Sequence, residues 1–255
     1  TDVASEFRYN NPIIDNKTLL IVLSQSGETA DTLAAVRLAK EKGARILGVV
    51  NTVGSSIARE ADDLLYTLAG LEIAVASTKA YTSQVVSMYL LANLFALELG
   101  KISKNDFENV KLTLEKLPGY IEDILKESDK IEKLSKEYIN IKNVFYIGRG
   151  LDYFICKEGS LKLKEVSYLY SEAYPAGELK HGPIALLQED SLVIGIATCE
   201  NTMEKLVSNL QECKARGSKI LSITTENNNI IKKVADNIIY IPYAGEFITP
   251  ILANI

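Results

Sequence analysis

Two stretches of this chain run through the same succession of residues at a separation of 174 positions. Gly43 answers to Gly217, Ile46 to Ile220, Leu47 to Leu221, Ile57 to Ile231, Ala61-Asp62 to Ala235-Asp236 and Tyr66 to Tyr240. Self-similarity at one fixed spacing marks a repeated structural unit, so the chain is read as a duplication. Each copy has the same grammar. An apolar run from Thr18 to Leu23 leads into the polar Ser24-Gln25-Ser26-Gly27-Glu28-Thr29, followed by Leu33, Val36 and Ala39 near helical period and by Gly43. Arg45 to Val50 then reads as a buried strand, Ile57 to Asp62 as a short helix and Leu64 to Leu68 as a third strand. In the second copy Leu192 to Ala197 is apolar, Met203, Leu206, Leu210 and Cys213 recur at helical spacing, Gly217 closes, and Lys219 to Thr224 resumes a strand.

Strands alternating with helices predict parallel sheets covered on both faces. The expected class is α/β, with two tandem doubly wound, three-layer αβα domains of flavodoxin-like type joined by helices. Val75 to Leu99 is long and mostly apolar, and Asn105 to Tyr138 is rich in Lys, Glu and Leu with an interruption at Pro118-Gly119; both read as connecting helices. The boundaries follow as a first domain over 1–101, a helical connector over 102–140 and a second domain over 141–255. The second copy opens with an additional strand and glycine turn, Val144 to Gly150, whose counterpart would precede residue 1. Phe247 to Ile255 reads as a helix just begun. Both domains are therefore expected to be incomplete at the outer ends.

Composition excludes several classes. Hydrophobic residues make up 47% of 255, enough for a sizeable core, and the net charge of −5 without a Lys/Arg cluster opposes nucleic-acid binding. No charge-free apolar run reaches the roughly 20 residues that cross a bilayer, so no membrane partner is expected. Cys156, Cys199 and Cys213 are odd in number and lack metal-ligand spacing, which suits reduced thiols of a cytoplasmic protein. No signal segment is legible at Thr1 to Asn11.

In a doubly wound sheet, ligands bind beyond the carboxyl ends of the strands, where Ser24 to Thr29 falls. Three hydroxyls, backbone N–H groups and a helix N-terminus there suit a phosphate monoester without any Lys. The loop lacks the GK[ST] of a Walker motif, and the same residues equally suit a plain turn with an N-cap. The corresponding second loop, Thr198-Cys199-Glu200-Asn201-Thr202, has two hydroxyls and no Gly, a poorer anion cradle. Gly148-Arg149-Gly150 opens like a dinucleotide fingerprint, but Tyr153 stands where the third Gly belongs, so NAD is excluded and no cofactor is expected. The following helix carries Glu158, Lys162 and Glu165, with Lys162 and Glu165 on one face; a solvated face with Glu158–Lys162 pairing is the plainer reading. His181, the only histidine, lies in the Gly- and Pro-rich Gly177 to Pro183, where it is either a proton carrier or a surface residue. With no second His and no clustered carboxylates beside it, no metal is expected.

Four segments, SQSGETADT at 24–32, EIAVASTKAYTSQ at 72–84, EGSLKLKEVSY at 158–168 and EAYPAGELKHGP at 172–183, resemble the isomerase part of the glucosamine-6-phosphate synthases, which is built of two sugar-isomerase (SIS) domains. The resemblance covers essentially the whole chain. It implies conversion of fructose 6-phosphate and glutamine-derived ammonia to glucosamine 6-phosphate. It also implies that Ser24, Gln25, Ser26 and Thr29 hold the sugar phosphate, that Val75 and Ser77 contact the sugar, and that Glu165 moves a proton between C1 and C2. Lys162 would be a charged neighbour, and His181, reaching in from the other subunit of a homodimer, would help open the ring. A Cys-initiated glutaminase domain is the family's further component and lies outside this sequence. So do a further substrate-binding serine and a Schiff-base lysine of the family, so residues 1–255 alone are expected to lack full activity. Two other readings remain open: a SIS-type glucosamine-6-phosphate deaminase, and a non-enzymatic sugar-phosphate sensor that would need neither Glu165 nor His181.

Overall fold

The computed structural model describes residues 1–226 and 228–255 and divides into two compact units, Thr1–Lys104 and Asn105–Ile255. The division falls close to the start of the expected connector, and the helices of that connector belong to the second unit.

The first unit contains α1 (Ala4–Phe7), β1 (Leu19–Ser24), α2 (Ala30–Glu41), β2 (Arg45–Val50), α3 (Ser56–Glu60), β3 (Asp63–Tyr66) and α4 (Lys79–Glu98). Its sheet is parallel with order β1-β2-β3. Leu20 and Val22 of β1 and Ile46 and Val50 of β2, at period two, meet Val36 and Ala39 of α2 and Ile57 and Ala58 of α3 in one apolar cluster. The helix turns that face because Thr32, Ala35, Val36 and Ala39 stand at helical spacing and are buried together. Helix α4 begins four residues later than the apolar pattern from Val75 suggests, since Thr78 has φ −126° and ψ −80° and the residues before it are irregular. Helix α4 is long and apolar enough to pass a length-and-composition test for a membrane span, while its charge-free stretch between Lys79 and Glu98 is 18 residues, short of the run length of roughly 20 taken as the criterion from sequence.

The second unit contains α5 (Lys104–Leu125), α6 (Ser128–Ser135), β4 (Asn143–Gly148), α7 (Leu151–Ser167), β5 (Tyr170–Pro175), β6 (Ser191–Ala197), α8 (Met203–Lys214), β7 (Lys219–Thr225), β8 (Asn237–Ile241) and α9 (Thr249–Leu252). The parallel sheet has order β5-β4-β6-β7-β8, which is the flavodoxin-like 2-1-3-4-5 order, and its switch point lies between β4 and β6. Every residue of the central strand β6 is buried. Val193 and Phe145 pack with Leu206, Leu210 and Cys213 of α8 on one face, and Leu192, Ile194 and Val144 pack with Cys156 of α7 on the other. Helix α5 runs through Pro118, where an interruption was expected. A proline inside a helix costs one hydrogen bond and about 3 kcal/mol, but Leu117 and Ile124 anchor the same face on either side of it. Strand β5, which overlaps the start of the 172–183 motif, carries too little apolar alternation to be legible.

The duplication extends to details of register and hydrogen bonding. β2 and β3 pair Leu47 with Asp63, and β7 and β8 pair Leu221 with Asn237, in the same register. Gly43 and Gly217 end their helices at φ +87° and +89°. Asp62 accepts from the Ile46 N–H at 2.8 Å and stands 3.5 Å from Lys40; Asp236 accepts from the Ile220 N–H at 2.8 Å and pairs with Lys214 at 2.7 Å. One departure from constant spacing emerges. Leu20 pairs with Ile46 and Val193 with Ile220, so β1 and β6 align at 173 while the buried faces of α2 and α8 align at 174. The loop between strand and helix is one residue longer in the second unit, and Gln25 and Ser26 correspond to Thr198 and Cys199.

These twin carboxylates make a pH prediction. The Ile46 N–H holds Asp62 below the ordinary carboxylate range, and at Asp236 burial opposes ionisation but Lys214 and the Ile220 N–H outweigh it. A depressed folded pKa contributes stability above the unfolded value of about 3.9 and loses it as pH falls through the folded value. Asp62→Asn and Asp236→Asn are therefore expected to lower the thermal midpoint at pH 7 and to narrow its gap from the unaltered protein as pH falls below about 4. A gap that stays constant from pH 7 to 3 would contradict the assignment.

Candidate functional site

The loop after β1 is shaped by its own side chains. The Ser24 hydroxyl accepts from the Gly27 N–H at 3.0 Å, and the Ser26 hydroxyl accepts from the Glu28 N–H at 3.2 Å. Glu28 reaches across to α3 and accepts from the Ser56 N–H at 2.7 Å, and the hydrogen bonds from Ser56 hold its carboxyl below the ordinary range. Thr29 stands at the N-cap of α2 without a side-chain capping bond. The plain turn-and-cap reading thus accounts for Ser24 and Ser26 in part, while the Thr29 hydroxyl makes no capping bond.

Asn51 fastens this loop to the next. Its N–H donates to the Gln25 carbonyl at 3.2 Å, its side-chain amide donates to the Gly70 carbonyl at 2.7 Å, and its side-chain oxygen accepts from Thr67 and from the Ala69 N–H at 2.8 Å. Glu72 then accepts from the Ser77 hydroxyl at 3.1 Å and from the Ala80 N–H at 3.0 Å, holding the start of α4. Ser77 is pinned in this way, and Val75 is 97% exposed. Asn51, Glu28 and Glu72 were not among the expected site residues; a polar side chain that bonds to backbone leaves no periodic trace in sequence.

Gln25 and Ser26 mark the position where the two copies differ. Their counterparts Thr198 and Cys199 donate their N–H groups to Asp152, whereas among the described residues no acceptor takes the N–H of Gln25 or Ser26. Two free donors beside the N-terminus of a 12-residue helix form an electropositive corner in the first unit.

In the second unit α7 brings Glu158, Lys162 and Glu165 together. The Lys162 ammonium lies 2.6 Å from Glu165 and 3.5 Å from Glu158. This is not the solvated face of the plainer reading: the side chains of Lys162 and Glu158 are 22% and 13% exposed, and burial pushes the Glu158 carboxyl up. His181 ends a short 3-10 turn, Leu179–His181, and is exposed. Among the described residues no hydrogen bond or ion pair joins its ring to Lys162 or Glu165. Two cavities of about 580 and 510 Å³ lie in the second unit, and none of the expected site residues lines them. Among the described residues there is no group of three His, Cys, Asp or Glu suited to a metal.

Comparison with known proteins gives this geometry a family. The SIS domain family model matches residues 2–94 and 137–255. The glutamine–fructose-6-phosphate aminotransferase [isomerizing] of Caldanaerobacter subterraneus is 53% identical over 98% of this chain, and that of Clostridium tetani is 54% identical over all of it. The chain spans about two fifths of the length of these relatives, 41% and 42%. The C-terminal domain of glucosamine-fructose-6-phosphate aminotransferase from Francisella tularensis superposes with a TM-score of 0.94 at 33% identity, covering 99% of this chain and 72% of that one. A glucosamine-6-phosphate deaminase from Thermotoga maritima, at 22% identity and a TM-score of 0.74, shares the fold. The chain belongs to the SIS domain family, in the group of the C-terminal domains of the isomerizing glutamine–fructose-6-phosphate aminotransferases.

Proposed function

We propose that this chain is the sugar-phosphate isomerase part of an amidotransferase that makes glucosamine 6-phosphate from fructose 6-phosphate and ammonia released from glutamine. The observation that carries the reading is the pair of unaccepted N–H groups at Gln25 and Ser26 beside the start of α2. A phosphate seated there accepts from both, from the hydroxyls of Ser24, Ser26 and Thr29, and gains from the helix dipole. Asn51 ties this corner to the segment leading to Val75 and Ser77, which we assign to the sugar.

Moving a proton between C1 and C2 of an open-chain sugar needs a carboxylate held at the carbon. Glu165 is that base, and Lys162, 2.6 Å away, orients it and offers positive charge to the developing enediolate. His181 helps open the ring by relaying a proton from the anomeric hydroxyl to the ring oxygen as the bond between that oxygen and the anomeric carbon breaks. Its exposure, with no hydrogen bond or ion pair to its ring among the described residues, supports delivery to the neighbouring subunit of a homodimer. The remaining length of the relatives leaves room for the glutaminase domain that supplies ammonia. Three cysteines without a disulfide support a cytoplasmic setting, with no nucleic-acid or membrane partner in the reaction.

Calorimetric titration with glucosamine 6-phosphate and fructose 6-phosphate tests the phosphate corner. A hydrogen bond to a charged group contributes about 1.5–3 kcal/mol, so Ser26→Ala and Thr29→Val are each expected to weaken binding about tenfold to a hundredfold. Unchanged affinity in both variants would place the phosphate elsewhere.

A further inference from the structure

At the switch point of the second unit, the donors of the β6–α8 loop are already occupied by the chain itself. Asp152, in the first turn of α7, is 1% exposed. Its carboxylate accepts from the Thr198 N–H at 2.9 Å, from the Cys199 N–H at 3.2 Å and from the Thr198 hydroxyl. Two consecutive backbone N–H groups and a hydroxyl, ahead of a 12-residue helix, are the coordination that a bound oxyanion receives. The approach is built into the backbone: a Cβ at Gly148 would lie 2.6 Å from the Asp152 carbonyl carbon, so only glycine lets the first turn of α7 settle against the end of β4. Burial pushes the Asp152 carboxyl up while its three donors oppose that shift, and burial keeps the thiol of Cys156, one turn along, protonated.

The first unit has the same two N–H groups, at Gln25 and Ser26, with no acceptor among the described residues. The cleft that remains beside the second loop holds about 70 Å³ and is lined by Thr198, Glu200, Asn201, Tyr243 and Glu246. That is well below the roughly 300 Å³ of small ligand pockets, and its two carboxylates repel a phosphate.

We infer that Asp152 is a built-in anion: it fills in the second unit the position that the first unit presents to a ligand phosphate, so each chain has one phosphate-binding loop and not two. Removing the carboxylate then opens a second oxyanion site at Thr198 and Cys199. The inference rests on the geometry of the repeat and holds whichever sugar phosphate the first unit takes.

Asp152→Ala, made together with Ser26→Ala so that the first loop is weakened, is titrated with sodium formate against sodium chloride of equal ionic strength. Formate is expected to raise its thermal midpoint by at least about 3 °C and to shift the amide resonances of Thr198 and Cys199, with neither effect in Ser26→Ala alone. A folded double variant that responds to formate no more than Ser26→Ala would overturn the inference. A variant that folds only in formate supports it. The unaltered chain gives an independent decision: the 13C resonance of the Asp152 carboxyl is expected to report an ionised group at pH 7, and inorganic phosphate is expected to leave the Thr198 and Cys199 amides unmoved. A neutral carboxyl at pH 7, or phosphate-dependent shifts at those amides, would sink it even if the variant never folds.

Discussion

Replacing Glu165 by Gln is expected to lower the interconversion of fructose 6-phosphate and glucose 6-phosphate by about 10²–10⁴-fold, the usual contribution of a positioned general base. The measurement belongs in an enzyme of the relatives' full length that carries this chain. Calorimetry on the same variant is expected to give nearly unchanged affinity for glucosamine 6-phosphate, because the amide keeps the shape and one acceptor for Lys162, which stands 2.6 Å from the Glu165 carboxylate. Isomerisation within threefold of the unaltered enzyme would remove Glu165 from the proton transfer. The same pair of measurements separates the competing functions. A sensor that only binds sugar phosphate loses nothing, whereas an isomerase keeps its affinity and loses its turnover. A deaminase also loses turnover, but it releases ammonia from glucosamine 6-phosphate without needing glutamine, which an ammonia assay on the unaltered enzyme detects.

What the sequence carried, and what it did not, follows from the kind of signal each feature leaves. Apolar spacing was enough for α2 and α8, because Val36 and Ala39, or Leu206 and Leu210, must face a sheet to be buried. The constant offset was enough to expect a duplicated unit and the alternation of strands with helices to expect parallel sheets, and Gly43 and Gly217 end their helices in the same left-handed conformation. The loop proposed to hold phosphate stood out for a different reason: Ser, Gly and Thr directly after an apolar run are residues whose polar groups gather at one end of the sheet. Lys162 and Glu165 were visible as a pair, but their partial burial was not, since helical spacing places residues on a face without saying what covers it. Asn51 and Asp152 were silent altogether. Each acts through bonds to backbone groups distant in sequence, Asn51 to Gly70 and Asp152 to Thr198, and no local pattern records such a pairing. Pro118 misled for the complementary reason, as a strong local signal overridden by apolar anchors on both sides of it.

Gly27 is where the loop's shape and its chemistry depend on one missing atom, and Gly27→Ala is expected to be among the most damaging single changes in the first unit. Its φ is +67°, a conformation that costs a residue with a Cβ about 1–2 kcal/mol. The added Cβ would also lie 2.1 Å from the Ser55 Oγ and 2.5 Å from the Ser55 Cβ. Ser55 is buried, and its hydroxyl caps α3 by accepting from the Ala58 N–H at 3.4 Å, so moving it surrenders a cap worth about 1 kcal/mol and disturbs the Ile57 N–H bond to the Gly27 carbonyl. Together with about 1–3 kcal/mol of overpacking, the loss comes to about 3–6 kcal/mol, or a fall of at least about 10 °C in thermal midpoint. Gly54 supplies the control, because its φ is +73° but a Cβ there meets nothing within 4 Å. Gly54→Ala is expected to lose only the backbone part, about 1–2 kcal/mol, and to keep sugar-phosphate affinity. Adding Ser55→Gly to Gly27→Ala is expected to recover part of the stability by removing the colliding atoms. Equal losses in Gly27→Ala and Gly54→Ala would mean that the crowding against Ser55 is not what fixes the loop. A larger loss at Gly27, relieved by Ser55→Gly, ties the shape of the proposed anion-binding corner to the packing of α3 against it.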